Sequence, residues 1–116
     1  TRAKATFLLL TKNPGRYMEF LDVIPENCIL GATIESDVHY PDVTSAPPPE
    51  ERYKAMVELK WPRKFISIEP ILDFNLSTLV NWIRAIKPWG VAVGYNNWMR
   101  DVIDLEEPPL WKTMKL

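Results

Sequence analysis

Soft metal ligands are almost missing from this chain: cysteine occurs once, at Cys28, and histidine once, at His39. A lone cysteine excludes an intrachain disulfide, and with a single histidine it cannot assemble a Cys/His zinc site. Cys28 therefore reads as a small apolar packing residue. His39 and Asp42, in one long loop, lack a third ligand at convincing spacing, so no metal is expected there either. An excess of one charge is also lacking. The 14 basic and 15 acidic residues leave a net charge of -1, so no positive field draws nucleic acid and no basic run marks an anionic membrane surface. No apolar run approaches the roughly 18 residues that would span a bilayer. The opening "TRAKATFLLL" carries no leader of the charged-then-apolar kind. A cytoplasmic location is the expectation. Glycine is scarce too, with 4 in the chain, and "VGYNN" at 93–97 is too poor in it to cradle a phosphate.

What is present is the composition of one globular domain: 116 residues, 47% apolar and 25% charged. A complete eight-stranded barrel usually needs ~200 residues or more, so 1–116 reads as a single domain or part of one. The chain starts almost at once in a strand-like run and without methionine, which suggests that its beginning lies elsewhere.

Four strand-like runs alternate with helical ones. "ATFLLLT" (5–11) precedes a segment in which Asn13 can cap, Pro14 can take the first helical position, and Tyr17, Phe20, Leu21 and Ile24 form one stripe. "CILGATIE" (28–35) leads through a proline-rich loop to "EERYKAMVELKW", where Tyr53, Met56 and Val57 share a face and Glu50 and Glu51 suit the helix N-terminus. "KFISIE" (64–69) leads to "LSTLVNWIRAIK", with Leu76, Leu79, Val80, Ile83 and Ile86 in helical period. "WGVAVGY" (89–95) leads to a loop and a short helix in "PPLWKTMKL". Such alternation predicts parallel pairing and an α/β fold, here a partial, half TIM-type barrel of about four strand-helix units.

Side chains alternate across a strand, so each run divides into two faces. Leu30, Ala32 and Ile34 oppose Gly31, Thr33 and Glu35; Ile66 and Ile68 oppose Ser67 and Glu69; Val91, Val93 and Tyr95 oppose Ala92, Gly94 and Asn96. The bulky face should meet the helices, and the small polar face should line an interior with room in it. Lys12, Asn13, Glu35, Ser36, Glu69, Tyr95, Asn96 and Asn97 then fall at the C-terminal ends of the strands, where α/β sheets keep their ligand sites. Glu35 and Glu69 read equally well as ligand contacts and as strand-end carboxylates bonded to loop amides or nearby cations. Acid-base or glycosidic work by the two needs a separation that sequence does not give. Lys12 more often pairs with a carboxylate than forms a Schiff base. The five tryptophans are expected mostly as helix-to-sheet packing, with Trp98 placed to stack on an adenine or a substrate.

In order along the chain, "LLTKNPGRY", "ILGATIES", "FISIEPIL" and "VAVGYNN" resemble the later strands of the radical S-adenosylmethionine (radical-SAM) barrel. They are most similar to an uncharacterised phage and prokaryotic radical-SAM-like family with Thr-Lys-x-Pro, a Gly-x-x-x-Glu strand and Ser-Ile-Glu-Pro. The resemblance spans about residues 5–97 and is most specific at Ser-Ile-Glu-Pro, 67–70. It implies a C-terminal half-barrel in which Glu35, Ser67, Glu69, Gly94 and Asn96 face a cofactor cavity for S-adenosylmethionine, with Lys12 and Trp98 as substrate-side residues. It also implies an iron-sulfur cluster only if three cysteine ligands lie in an N-terminal part outside this sequence. The implied partner is that N-terminal half or a second copy of the chain. A noncatalytic binding or assembly module of the same fold is the alternative, and whether the chain is an enzyme stays open.

Overall fold

The computed structural model describes residues 6–41, 45–94, 108 and 110–116. Strands β1 (Phe7–Thr11), β2 (Cys28–Thr33), β3 (Lys64–Ile68) and β4 (Gly90–Val93) form one 4-stranded parallel sheet in chain order. A 3₁₀ helix over Pro14–Glu19 follows β1, α1 (Pro49–Glu58) follows β2, α2 (Leu76–Ile86) follows β3, and α3 spans Leu110–Met114. The alternation thus produces the α/β class it predicts. Among the described residues no helix is long and apolar enough to cross a membrane.

The bulky face behaves as expected on the two central strands. Leu30, Ala32, Ile34, Ile66 and Ile68 are buried and pack with Met56 and Leu59 from the α1 side and Leu79 and Ile86 of α2. Each such side chain contributes roughly 1.5–3 kcal/mol by leaving water. The outer strands differ. Val91 and Val93 of β4 are each 42% exposed, because no described element lies over them.

The helices follow their local signals unevenly. Asn75 caps α2, its Oδ1 accepting from the Thr78 amide at 3.1 Å, and Lys87 ends it in the left-handed region at φ 56. Leu79 and Ile86 of its stripe are buried, with Leu76 and Ile83 packed at the border. In α1 the buried line is Pro49, Arg52 and Met56, continued by Leu59. Val57, expected on that face, is exposed, and Tyr53 instead stacks on Trp82 of α2 with centroids 4.8 Å apart. The segment after β1 is one 3₁₀ stretch rather than a longer helix. Asn13 stands at its N-cap without a side-chain cap bond, and its own amide donates to Thr11 Oγ1 at 2.9 Å. Tyr17, Leu21 and Ile24 of the stripe reach the core, while Phe20 is exposed. Of the tryptophans, Trp61 packs and donates to the Cys28 carbonyl at 2.9 Å, but Trp89 and Trp111 are exposed, against the packing expectation.

Tyr17 ties β1 to β2 from the helical side. Its hydroxyl lies 2.9 Å from the Leu9 carbonyl oxygen and 2.7 Å from that of Gly31, sharing one proton between them. Burial pushes its pKa up to about 12 against an ordinary 10.0, opposed by the weaker effect of the Gly31 bond. An unfolded chain ionises this phenol first, so the stabilisation it carries is whole below pH 10.0 and is lost as pH rises toward about 12. Urea titrations through that window should show the wild type losing stability more steeply than Tyr17→Phe. Parallel curves would contradict the assignment.

Candidate functional site

Parallel register places matched residues on one side of the sheet. Leu10 pairs with Gly31, Gly31 with Phe65 and Phe65 with Gly90; one level up, Thr33 pairs with Ser67 and Ser67 with Ala92. Two residues further along each strand come Glu35, Glu69 and Gly94. The face turned away from the helices is therefore apolar at its lower level and carries Thr33, Ser67 and Glu69 toward the C-terminal rim, whereas Glu35 turns to α1.

The small residues on this face do not leave the open room expected of them. A Cβ on Gly31 would stand 2.7 Å from Leu10 Cδ2 and 3.2 Å from Phe65 Cβ; one on Gly90 would meet the Phe65 ring at 3.0 Å. Leu10 and Phe65 occupy the space that the glycines vacate. Likewise, a Cβ on Gly94 would meet Glu69 Oε2 at 2.7 Å. Alternation correctly identified the glycines as inward, but their missing side chains seat larger neighbours.

At the rim, Glu69 is exposed, with Oε1 accepting from Ser67 Oγ at 3.2 Å and Oε2 lying over Gly94. Its peptide bond to Pro70 is cis. Thr33 and Ser67, both buried, form the floor beside it. Glu35 is in a different situation. Its Oε2 accepts from Arg52 Nη1 at 2.8 Å, with the Arg52 side chain fully buried and the Glu35 side chain 9% exposed. The same Nη1 donates to the Thr33 carbonyl at 2.9 Å, and Nε donates to the Pro47 carbonyl at 2.7 Å. Glu35 is thus anchored to α1, whereas Glu69 stands exposed and bonds within its own strand end. The two carboxylates end adjacent strands but serve different partners.

The loops after β2 and β3 are stitched together around this rim. The Leu72 amide donates to the Glu35 carbonyl at 3.0 Å, and the Ile71 amide to the Gly94 carbonyl at 2.7 Å. Ser36 Oγ donates to the Asp73 carbonyl at 2.5 Å and accepts from the Val38 amide at 3.0 Å; the Asn75 amide donates to Asp37 Oδ1 at 2.8 Å. Asp73 also accepts from Lys112 Nζ at 2.8 Å. That bond holds its carboxyl below the usual carboxylate range. Ser36 is thereby a loop fastener rather than an open ligand group.

Lys12 and Asn13 are exposed at the end of β1, and His39 is exposed in the loop after β2. Asp42, Tyr95, Asn96, Asn97 and Trp98 lie outside the described residues. Among the described residues, no cluster of three or more His, Cys, Asp or Glu side chains is placed to hold a metal ion. Sequence reasoning missed Arg52. Its signal was available: it continues the line Pro49, Met56, Leu59, and a cation on a buried helix stripe requires a carboxylate opposite it.

No family profile, no curated protein and no solved structure matches this chain. The site therefore rests on its own geometry.

Proposed function

We propose that the protein is a half-barrel that binds a small ligand at the C-terminal rim of β2–β4, with S-adenosylmethionine the ligand suggested by the radical-SAM-like strand ends. The half-barrel reading is supported by a sheet in sequential order, unlike the reversed strand order of doubly wound folds, with α1 and α2 packed on one core. One observation carries the ligand reading: the exposed Glu69 carboxylate, propped by Ser67 and laid over Gly94, above a floor of Thr33 and Ser67. An exposed acceptor of this kind suits an ammonium group or a ribose diol, and S-adenosylmethionine offers both. Glu35 positions the strand end through Arg52 and leaves recognition to Glu69.

The donor set does not fit an iron-sulfur cluster held by this chain. Its single cysteine, Cys28, is buried at the opposite end of β2 from the rim. Binding, rather than radical chemistry, is therefore what these residues supply on their own, which agrees with a noncatalytic module.

Titration calorimetry with S-adenosylmethionine and S-adenosylhomocysteine tests the proposal. Glu69→Gln should weaken wild-type binding about tenfold, the equivalent of ~1.4 kcal/mol. Gly94→Ala, whose methyl would displace Oε2, should weaken it similarly without altering the melting curve. A wild-type chain that binds neither compound ends this reading.

A further inference from the structure

The strand β1 carries an apolar side chain at every position from Phe7 to Leu10, and all of them are exposed: Phe7 56%, Leu8 45%, Leu9 39%, Leu10 49%. Parallel strands are normally covered on both faces, and a near-continuous apolar run is their signature. β1 has the composition of a covered strand but stands at an open edge, pairing only with β2 among the described residues. Beside it, a groove of about 420 Å³ opens between β1 and the following segment, walled by Leu9, Tyr17, Phe20, Val23 and Ile24. The other end of the sheet, at β4, also presents apolar side chains. Val91 and Val93 of β4 are 42% exposed, and Trp89, just before it, 63%.

We infer that a second copy of this chain covers these surfaces, β1 of each copy pairing with β4 of the other and Val91 and Val93 of each packing against the groove of the other. The two edges are complementary. Among the described residues both carry unpaired backbone groups in the parallel sense, one edge has a concave apolar flank, and the other has exposed valines to fill it. A two-fold arrangement uses both edges of both copies at once and closes, so it does not propagate into filaments. The exposed area of these apolar side chains is on the order of 800 Å² per copy, the contribution of one partner to a standard stable interface. A net charge of -1 on each chain puts little repulsion in the way. This pairing is independent of ligand binding at the rim, so either proposal can fail without the other.

Sedimentation of the chain up to about 100 µM should give twice the 13.5 kDa of one copy. Val23→Asp and Val91→Asp alter exposed positions, and each should weaken the dimer at least tenfold with the circular dichroism spectrum unchanged. Mixing the two variants is the sharper arm. A mixed pair places both changes at one of its two contacts and leaves the other intact, so the mixture should dimerise more tightly than either variant alone. A wild-type monomer throughout the range overturns the inference, as does a dimer that neither variant weakens, or a mixture no tighter than its components.

Discussion

Arg52→Ala should lower the free energy of unfolding by about 3–5 kcal/mol, the usual effect of removing one member of a buried ion pair. The guanidinium is fully enclosed and engages Glu35, the Thr33 carbonyl and the Pro47 carbonyl together. Its loss strands the Glu35 carboxylate with a 9% exposed side chain and no cation, and releases the end of β2 from α1. Arg52 Nη2 has no hydrogen-bond partner among the described residues, so even the native arrangement leaves part of the guanidinium unsatisfied. The double variant Arg52→Met/Glu35→Leu removes both charges and keeps the volume, and it should recover most of the lost stability. Urea unfolding measures both. A double variant as unstable as Arg52→Ala would mean that the carbonyl contacts, rather than the paired charge, hold this corner together.

Gly31→Val should cost about 3 kcal/mol, at the upper end of overpacking effects. The first added carbon would already stand 3.1 Å from the Phe65 carbonyl oxygen, which is backbone and cannot swing aside, as well as 2.7 Å from Leu10 Cδ2. Gly31→Ala should cost less, and adding Leu10→Ala should relieve it in part, because only the side-chain clash is removed. Thermal melts of the three variants order these effects. Gly31→Val melting with the wild type would show that the strands can separate to admit it.

These two residues also show where sequence reading succeeded and where it stopped. Period-2 alternation separated Leu30, Ala32 and Ile34 from Gly31 and Thr33, and the sheet has that division. Parallel order followed from strand-helix alternation, and the α2 stripe from its 3.6-residue period. Alternation states which side a residue faces, but not what fills the space beyond it. Gly31 therefore read as room, when Leu10 and Phe65, from neighbouring strands, fill that space. Glu35 and Glu69 ended their strands in the same Ile-Glu dipeptide and read as a matched pair. Their difference comes from Arg52, seventeen positions beyond Glu35 and brought back by α1. Val91 and Val93 had the pattern of a covered face, and coverage depends on elements that a local pattern does not contain.

The bonds from Leu72 to Glu35 and from Ile71 to Gly94 have a kinetic corollary. They lace the crossover after β3 to the ends of both flanking strands, so this crossover is a fixed part of the frame beside Glu69. The amides of Ile71 and Leu72 should accordingly exchange their hydrogens slowly, as deep in the sheet, and exchange at the rate of an open loop would show that this lacing does not hold.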